Sequence, residues 1–255
     1  MKTNIFIKIG AAILLAMTVL SGCTGASTND FDYKTDIKEV QKVLNTKDKK
    51  FLVLVNKQNS VESDYEPNDL VSLDTAYTTN GKNIHLEKHA AVAVMAMIGE
   101  MKAYGIDNVT VTSGYRTYQY QQQLFDRYLN DEREAHPTWS ESKIEDYVLT
   151  YSARPGTSEH QTGLCVDLMT NEMAGLWNYG SETPDNPYDK GFAETEAYEW
   201  LIDNAHKFGF ILRFPENKTD VTGYSYESWH YRFVGVAAAT EIYEKEITLE
   251  EYLGK

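Results

Sequence analysis

The chain contains short apolar segments of the kind that form buried strands. These segments are five or six residues long, are rich in β-branched and aromatic side chains, and are bounded by polar residues or glycine. We predict strands at 51–56, 108–113, 163–168, 210–214 and 229–234.

Longer segments have apolar residues at a spacing of three or four, which predicts helices. The clearest is 86–104, which Gly105 follows. Further helices are predicted at 117–130, 140–151, 196–208 and 236–246. Strands and helices do not alternate as they do around a parallel sheet. We therefore predict an α+β fold with a central, mainly antiparallel sheet flanked by helices.

The predicted strand at 163–168 carries an acidic residue among apolar ones. Side chains alternate between the two faces of a strand, so Leu164, Val166 and Leu168 take the core face. Asp167 then points to the other face together with Cys165. A carboxylate in such a strand is costly unless it is exposed, paired or bound to a metal.

The predicted strand at 229–234 shows the same division. Aromatic residues at 229, 231 and 233 share one face, whereas His230 and Arg232 share the other. Glu227 lies just before the strand, where a turn could bring its carboxylate over the same cavity as His230.

Together with His160, in the loop before Asp167, these residues suggest a metal site in a cleft on the sheet. Two neutral imidazoles and a carboxylate form a known zinc set that leaves a fourth position for water. A carboxylate that does not bind the metal, here Glu227, can take a proton from that water. The spacing differs from the His-Glu-x-x-His helix, and by itself it is a weak pattern.

Composition narrows the possible partners. The chain has 42% hydrophobic and 24% charged residues, as in ordinary globular proteins. Its formal charge of -14 argues against a nucleic-acid partner, which requires clustered cations. Nothing in the sequence indicates an obligate oligomer, and we expect a monomer.

The N-terminus predicts export. Two lysines precede an apolar run at 9–20 that is short for a membrane span, and LSGC follows at 20–23. This ending resembles a bacterial lipobox, so we expect a signal peptide at 1–22 and a lipid on Cys23. We assign 23–36 to a flexible tether and 37–255 to the folded domain. The expected location is the outer face of the cytoplasmic membrane, with the lipid as the membrane contact.

Other chemistry stays open at this point. Cys165, with His160 or His230, could form a cysteine nucleophile, although a small buried residue beneath the site is favoured. The segment 140–143 matches the Ser-x-x-Lys motif of serine-dependent, penicillin-binding enzymes, but the Lys-Thr-Gly and Ser-Asp-Asn motifs that accompany it in those enzymes are absent.

The remaining histidines give weaker signals. His85 and His89 are four residues apart near a predicted helix start but lack a third ligand. His206 is expected to be exposed or hydrogen-bonded on an amphipathic helix.

Several motifs resemble the VanY family of D-alanyl-D-alanine carboxypeptidases, which includes LD-carboxypeptidases of the LdcB type. The resemblance covers about 51–235, and the motifs occur in the family's order. They are LVNK at 54–57, SGYRT at 113–117, SARPGTSEHQTG at 152–163, VDL at 166–168 and ESWHYR at 227–232.

The resemblance implies a role for each matching residue. It implies zinc ligation by His160, Asp167 and His230, with Glu227 as the catalytic base. It also implies that Arg116 contacts the substrate and steadies the developing oxyanion, a role that suits a permanent charge.

The resemblance further implies a peptide-binding wall and a substrate. Gln121 and Ser158 match positions that hold the peptide, and Trp229 packs beside the site. Phe214 stands at a substrate-facing position that is often tyrosine, and Cys165 stands where alanine is more usual. The implied substrate is the C-terminal D-alanine of a peptidoglycan stem peptide, either a tetrapeptide (LD) or a pentapeptide (DD). The alternative is a non-catalytic, zinc-bearing module that binds the cell wall on the same fold.

Overall fold

The computed structural model describes residues 31–176 and 191–255. The predicted signal peptide and Cys23 lie outside these residues. Phe31 and Tyr33, in the segment assigned to the tether, pack against the hydrophobic core. The Tyr33 hydroxyl also donates to the backbone carbonyl of Lys207 at 2.8 Å. The described part of the tether therefore lies on the domain. Within the described ranges, every helix is too short or too polar to cross a membrane.

In the described ranges, six strands form two sheets. Strands β1 (Leu70–Ser72) and β2 (His85–Glu87) pair antiparallel as a small sheet. The central sheet has the order β3-β4-β6-β5, and all of its pairs are antiparallel. Its strands are β3 (Val109–Ser113), β4 (Cys165–Thr170), β5 (Phe210–Leu212) and β6 (His230–Phe233). The predicted mainly antiparallel α+β fold is confirmed.

Helices surround these sheets. The α-helices are α1 (Lys38–Leu44), α2 (Lys88–Ala103), α3 (Tyr118–Ala135), α4 (Glu141–Val148), α5 (Asn171–Leu176), α6 (Glu196–Asn204), α7 (Thr219–Thr222), α8 (Val236–Lys245) and α9 (Leu249–Tyr252). Short 3-10 helices cover Lys49–Leu52, Thr75–Tyr77, Thr79–Gly81, Glu159–Thr162 and Ala205–Phe208.

The register of the central sheet determines which side chains meet. In the β4–β6 pair, Asp167 lies opposite His230, and Cys165 lies opposite Arg232. On the other face of β4, Leu164, Val166 and Leu168 belong to the main hydrophobic core. The alternation read from the sequence is therefore confirmed, and the polar faces of β4 and β6 lie side by side.

The strand predicted at 51–56 does not form. The chain turns through a short 3-10 helix at Lys49–Leu52, which buries Phe51. The Arg232 guanidinium then donates to the carbonyls of Phe51 at 3.1 Å and Val53 at 2.8 Å. A buried side chain thus satisfies carbonyls that a neighbouring strand would otherwise have to bond.

Two expectations for histidines are corrected. His85 belongs to β2 and His89 to α2, so they do not share one helix face. His206 is buried and stacks on Tyr243 with 3.9 Å between ring centroids. Among the described contacts its Nδ1 has no hydrogen-bond partner. Packing against aromatic rings therefore replaces the expected exposure.

Candidate active site

The residues singled out for metal binding, catalysis and peptide binding lie around one pocket. They come from the loop after β3, the start of α3, the segment 158–160, β4, the loop after β5 and the start of β6. The pocket is lined by Arg116, Gln121, Ser158, His160, Asp167, Phe214, Glu227, Trp229 and His230.

His160 lies in the 3-10 helix Glu159–Thr162 and is buried. Its Nδ1 lies 2.7 Å from the backbone carbonyl of Gly114, so the ring donates a proton there. Its Nε2 lies 3.5 Å from Oδ1 of Asp167. Gly114 is required at this point because a Cβ would come within 2.7 Å of the His85 carbonyl. This hydrogen bond leaves Nε2 as the atom that can bind a metal.

His230 presents the opposite ring nitrogen. Its Nε2 lies 2.9 Å from Oε1 of Glu159, whereas its Nδ1 lies 3.1 Å from Oδ1 of Asp167. The Glu159 carboxylate therefore orients the ring so that Nδ1 faces Asp167. The sequence analysis missed Glu159; the available signal was an acidic residue immediately before a candidate ligand.

Glu159 belongs to a buried ionic network. Its Oε2 accepts hydrogen bonds from Arg213 Nε and Arg232 Nη1, each at 2.9 Å. Arg213 also binds both oxygens of Glu250, at 2.9 and 2.6 Å. Burial alone would raise the pKa of Glu159, but the two arginines and His230 outweigh it and hold that pKa far below its usual range. Glu159 is therefore an anion at neutral pH.

Asp167 lies between the two imidazoles. Its Oδ2 accepts a hydrogen bond from Arg116 Nη2 at 2.9 Å, and Arg116 Nε donates to Ser113 Oγ at 3.0 Å. Burial opposes ionisation, but His160, His230 and Arg116 hold the pKa of Asp167 well below its usual range. Its Oδ1 is buried and faces the two histidines, 3.5 Å from His160 Nε2 and 3.1 Å from His230 Nδ1.

These atoms fit a divalent cation. His160 Nε2 and His230 Nδ1 both face the buried Asp167 Oδ1, and two imidazoles with a carboxylate are a zinc set. The Cys165 sulfur lies close to this set, within 4.8 Å of a ring nitrogen of each histidine. A bound divalent cation would satisfy these buried oxygen and nitrogen atoms.

Glu227 lies beside this set without belonging to it. A turn before β6 places it, since the His230 amide donates to the Glu227 carbonyl and the Glu227 amide donates to the Phe214 carbonyl. Its Oε2 lies 3.6 Å from His230 Nδ1, and the side chain is buried. The turn suggested by the sequence is present, and it places a carboxylate beside His230, a position that suits a group that transfers protons.

The remaining wall of the pocket has both apolar and polar atoms. Phe214 packs 5.0 Å from the His230 ring and 4.7 Å from the Tyr224 ring, between centroids. Gln121 Nε2 donates to the Ala153 carbonyl at 2.8 Å, which leaves its buried Oε1 unpartnered in the described structure. Trp229 is buried and belongs to the main core. The sequence analysis did not select Tyr224.

The competing sites are explained by local structure. The Ser140 hydroxyl accepts a hydrogen bond from the Lys143 amide and caps α4, so the Ser-x-x-Lys match is a helix start. His89 lies near Asp69 and Glu87, but the Lys50 ammonium already binds both carboxylates, at 2.7 and 3.0 Å.

A cleft on an antiparallel sheet that holds two imidazoles, a carboxylate between them and a second carboxylate beside them is typical of hydrolases built around a metal site. Comparison with known proteins gives the family. The family model for VanY, D-alanyl-D-alanine carboxypeptidase, matches residues 83–236. The chain belongs to this carboxypeptidase family.

Individual relatives agree with this assignment. YodJ of Bacillus subtilis (strain 168) is 37% identical over 226 residues, which is 88% of this chain and 74% of YodJ. A crystal structure of a vancomycin resistance D,D-pentapeptidase VanY in complex with Zn(II) is 34% identical with a TM-score of 0.63, covering 80% of this chain and 99% of that one. The structure of the LdcB LD-carboxypeptidase is 34% identical with a TM-score of 0.64, covering 86% and 88%.

Proposed function

We propose that this protein is a zinc-dependent carboxypeptidase that removes the C-terminal D-alanine from peptidoglycan stem peptides. The observation that carries the proposal is the buried Oδ1 of Asp167, which lies 3.5 Å from His160 Nε2 and 3.1 Å from His230 Nδ1, with Glu227 beside it. The Zn(II) bound by the related D,D-pentapeptidase supports the choice of metal.

His160, Asp167 and His230 would hold the zinc ion. When bound, zinc lowers the pKa of water and polarises a carbonyl. The Glu227 side chain lines the pocket outside the proposed ligand set. Its carboxylate would take a proton from the water that attacks the peptide carbonyl and would later return it to the amine that leaves when the C–N bond breaks. Arg116 holds Oδ2 of Asp167 and thereby fixes the direction of Oδ1.

The peptide is oriented by the polar and apolar wall of the pocket. Gln121 Oε1 is free to accept a hydrogen bond from a peptide N–H, since Nε2 is held by the Ala153 carbonyl. Ser158 lines the same space, and Phe214 and Trp229 exclude water from it. Arg116, whose side chain is 13% exposed, supplies positive charge for an anionic peptide group or oxyanion.

The proposed substrates are tetrapeptide and pentapeptide stems. Related structures include an LD-carboxypeptidase and a VanYB complex with D-alanine-D-alanine. The test is a mass-spectrometric digest of purified tetrapeptide and pentapeptide muropeptides by zinc-loaded protein, with and without a chelator. Chelator-sensitive loss of one alanine is expected, and the stem that is trimmed gives LD or DD specificity. Trimming of neither stem would favour a non-catalytic wall-binding module.

We also propose that the protein acts as a monomer outside the cytoplasmic membrane, anchored through a lipid on Cys23. The lipobox-like sequence at 20–23 supports this location, which is where stem peptides occur. Detergent-phase partitioning of the protein from cells should be lost in Cys23→Ala. Partitioning that survives this substitution would contradict the anchor.

A further inference from the structure

Tyr224 lies in the pocket wall with its ring held by packing. The residue is buried, and its ring packs on Phe214 at 4.7 Å between centroids. On another side, the Lys57 ammonium lies 4.5 Å from the Tyr224 ring centroid, and Lys57 also donates to the Gly223 carbonyl. These contacts fix the ring without any use of its hydroxyl.

The Tyr224 hydroxyl has no hydrogen-bond partner among the residues that the structure describes. The Thr157 hydroxyl, which donates to the Arg154 carbonyl at 2.8 Å, lies near enough to lower the pKa of Tyr224 slightly, but it does not have the geometry of a hydrogen bond to the Tyr224 hydroxyl. Burial, followed by the negative charges of Glu227 and Glu159, raises the pKa of Tyr224 above its ordinary value. The hydroxyl therefore stays protonated and can donate. A buried donor without an acceptor is unfavourable, which points to an acceptor that the chain itself does not supply.

An unpaired acceptor lies in the same wall. Gln121 Oε1 is also buried without a partner, and Gln121 is anchored to the carbonyl of Ala153. The Ala153 side chain packs in one small apolar cluster with Phe214 and Tyr224. Two residues that line the pocket thus carry one unpaired acceptor and one unpaired donor, which complement the N–H and C=O groups of a peptide backbone.

We propose that the Tyr224 hydroxyl donates a hydrogen bond to an acceptor oxygen of the bound stem peptide, while Gln121 Oε1 accepts a hydrogen bond from an N–H group of the same peptide. This inference rests on the proposed function and adds a substrate-binding residue to it. We expect the hydroxyl to stabilise the bound substrate and the transition state of the reaction equally. Its loss should therefore raise KM and leave kcat unchanged.

The test compares Tyr224→Phe with the unchanged full-length chain, both loaded with zinc, on the stem that the unchanged protein trims. We expect KM to rise by about three- to tenfold, the range for one neutral hydrogen bond, with kcat and zinc content preserved. The matched control is Tyr226→Phe, because the Tyr226 hydroxyl is paired with that of Tyr198 at 2.5 Å. This control should leave KM unchanged. An unchanged KM in Tyr224→Phe, or a fall in kcat at constant KM, would overturn the inference.

A binding measurement separates this inference from the proposed function. Pentapeptide and tetrapeptide stems are titrated calorimetrically into zinc-loaded Glu227→Gln and into Glu227→Gln/Tyr224→Phe. Weaker binding by the double variant, by the same factor as the rise in KM, supports the role of Tyr224. Equal affinities contradict it. Absence of trimming by the unchanged protein contradicts the proposed function and leaves the comparison of affinities to decide the inference.

Discussion

The His230 ring and the Glu159 carboxylate form a buried pair in which Nε2 lies 2.9 Å from Oε1. Since Glu159 is held as an anion by Arg213 and Arg232, it accepts a hydrogen bond from the Nε2–H group, so that Nδ1 is the nitrogen that faces Asp167. The direction in which His230 faces Asp167 is therefore set by charges that lie behind the site.

Glu159→Gln should weaken metal binding. A neutral amide holds the imidazole less firmly and leaves Arg213 and Arg232 without their shared carboxylate. We expect the metal dissociation constant to rise about 10- to 100-fold. The loss of a buried ionic partner should lower the free energy of unfolding by about 3–5 kcal/mol. Competition titration with a chromophoric chelator measures the first effect, and denaturant unfolding measures the second.

The matched control for this substitution is Glu141→Gln. Glu141 also binds an arginine, Arg133, but the pair lies on the surface. Surface ion pairs contribute little, so both measured quantities should stay close to those of the unchanged protein. An unaltered metal affinity in Glu159→Gln would mean that Glu159 does not orient His230.

Glu227→Gln should abolish turnover and keep the metal. The amide retains the shape of the side chain but cannot take a proton, so kcat should fall by about 10²- to 10⁴-fold. Zinc content, measured by atomic absorption after dialysis, should stay at the level of the unchanged protein because Glu227 lies outside the ligand set. Glu216→Gln serves as the control, because Glu216 is an exposed residue in the same segment between β5 and β6. Loss of zinc together with activity would identify Glu227 as a ligand instead.

The sequence indicated the chemistry of the site but not all of its supports. The two-residue period of β4 and β6 predicted that the side chains of Asp167, His230 and Arg232 point away from the core face of the sheet, and the structure agrees. The role of Glu159 depends on Arg213, 54 residues away, and on Arg232, 73 residues away. Such pairing is decided by tertiary structure, and no local pattern reports it.

The segment 51–56 shows the same limit. Its apolar, β-branched composition is typical of a strand, and that interpretation was wrong. The carbonyls of Phe51 and Val53 bond to the side chain of Arg232, about 180 positions along the chain. Likewise, Tyr224 had no distinguishing context in the sequence, because its significance lies in a hydroxyl that is left unpaired after folding.

His206 should make the protein less stable in mild acid. Burial, aided by the charge of Lys207 and partly offset by Asp203, lowers the pKa of His206 from 6.5 to about 4. Because the folded pKa lies below the unfolded pKa, the unfolded state binds the proton first. The contribution of neutral His206 to the free energy of unfolding should therefore be fully present above pH 6.5 and should decline as the pH falls from 6.5 to about 4. Denaturant midpoints at pH 7 and pH 5 measure this loss.

His206→Phe isolates this titration. Phenylalanine can keep the stacking on Tyr243 but cannot bind a proton. Any difference from the unchanged protein at pH 7 reports packing, and the additional difference at pH 5 reports the titration of His206. The variant should lose less stability between the two pH values. An equal loss in both proteins would show that other groups cause it.

Cys165→Ala should keep both metal and activity. The thiol is buried on the polar face of β4 near His160 and His230, a position that suits a ligand, a nucleophile or a packing residue. In the proposed site, two imidazoles and the Asp167 carboxylate already supply the three protein ligands of a catalytic zinc ion, so packing is the role that we predict for Cys165. Zinc content should be unchanged, kcat/KM should stay within about twofold, and the lost sulfur should cost about 1 kcal/mol of stability. A loss of turnover with full zinc content would instead identify a nucleophile, and a loss of zinc would identify a fourth protein ligand.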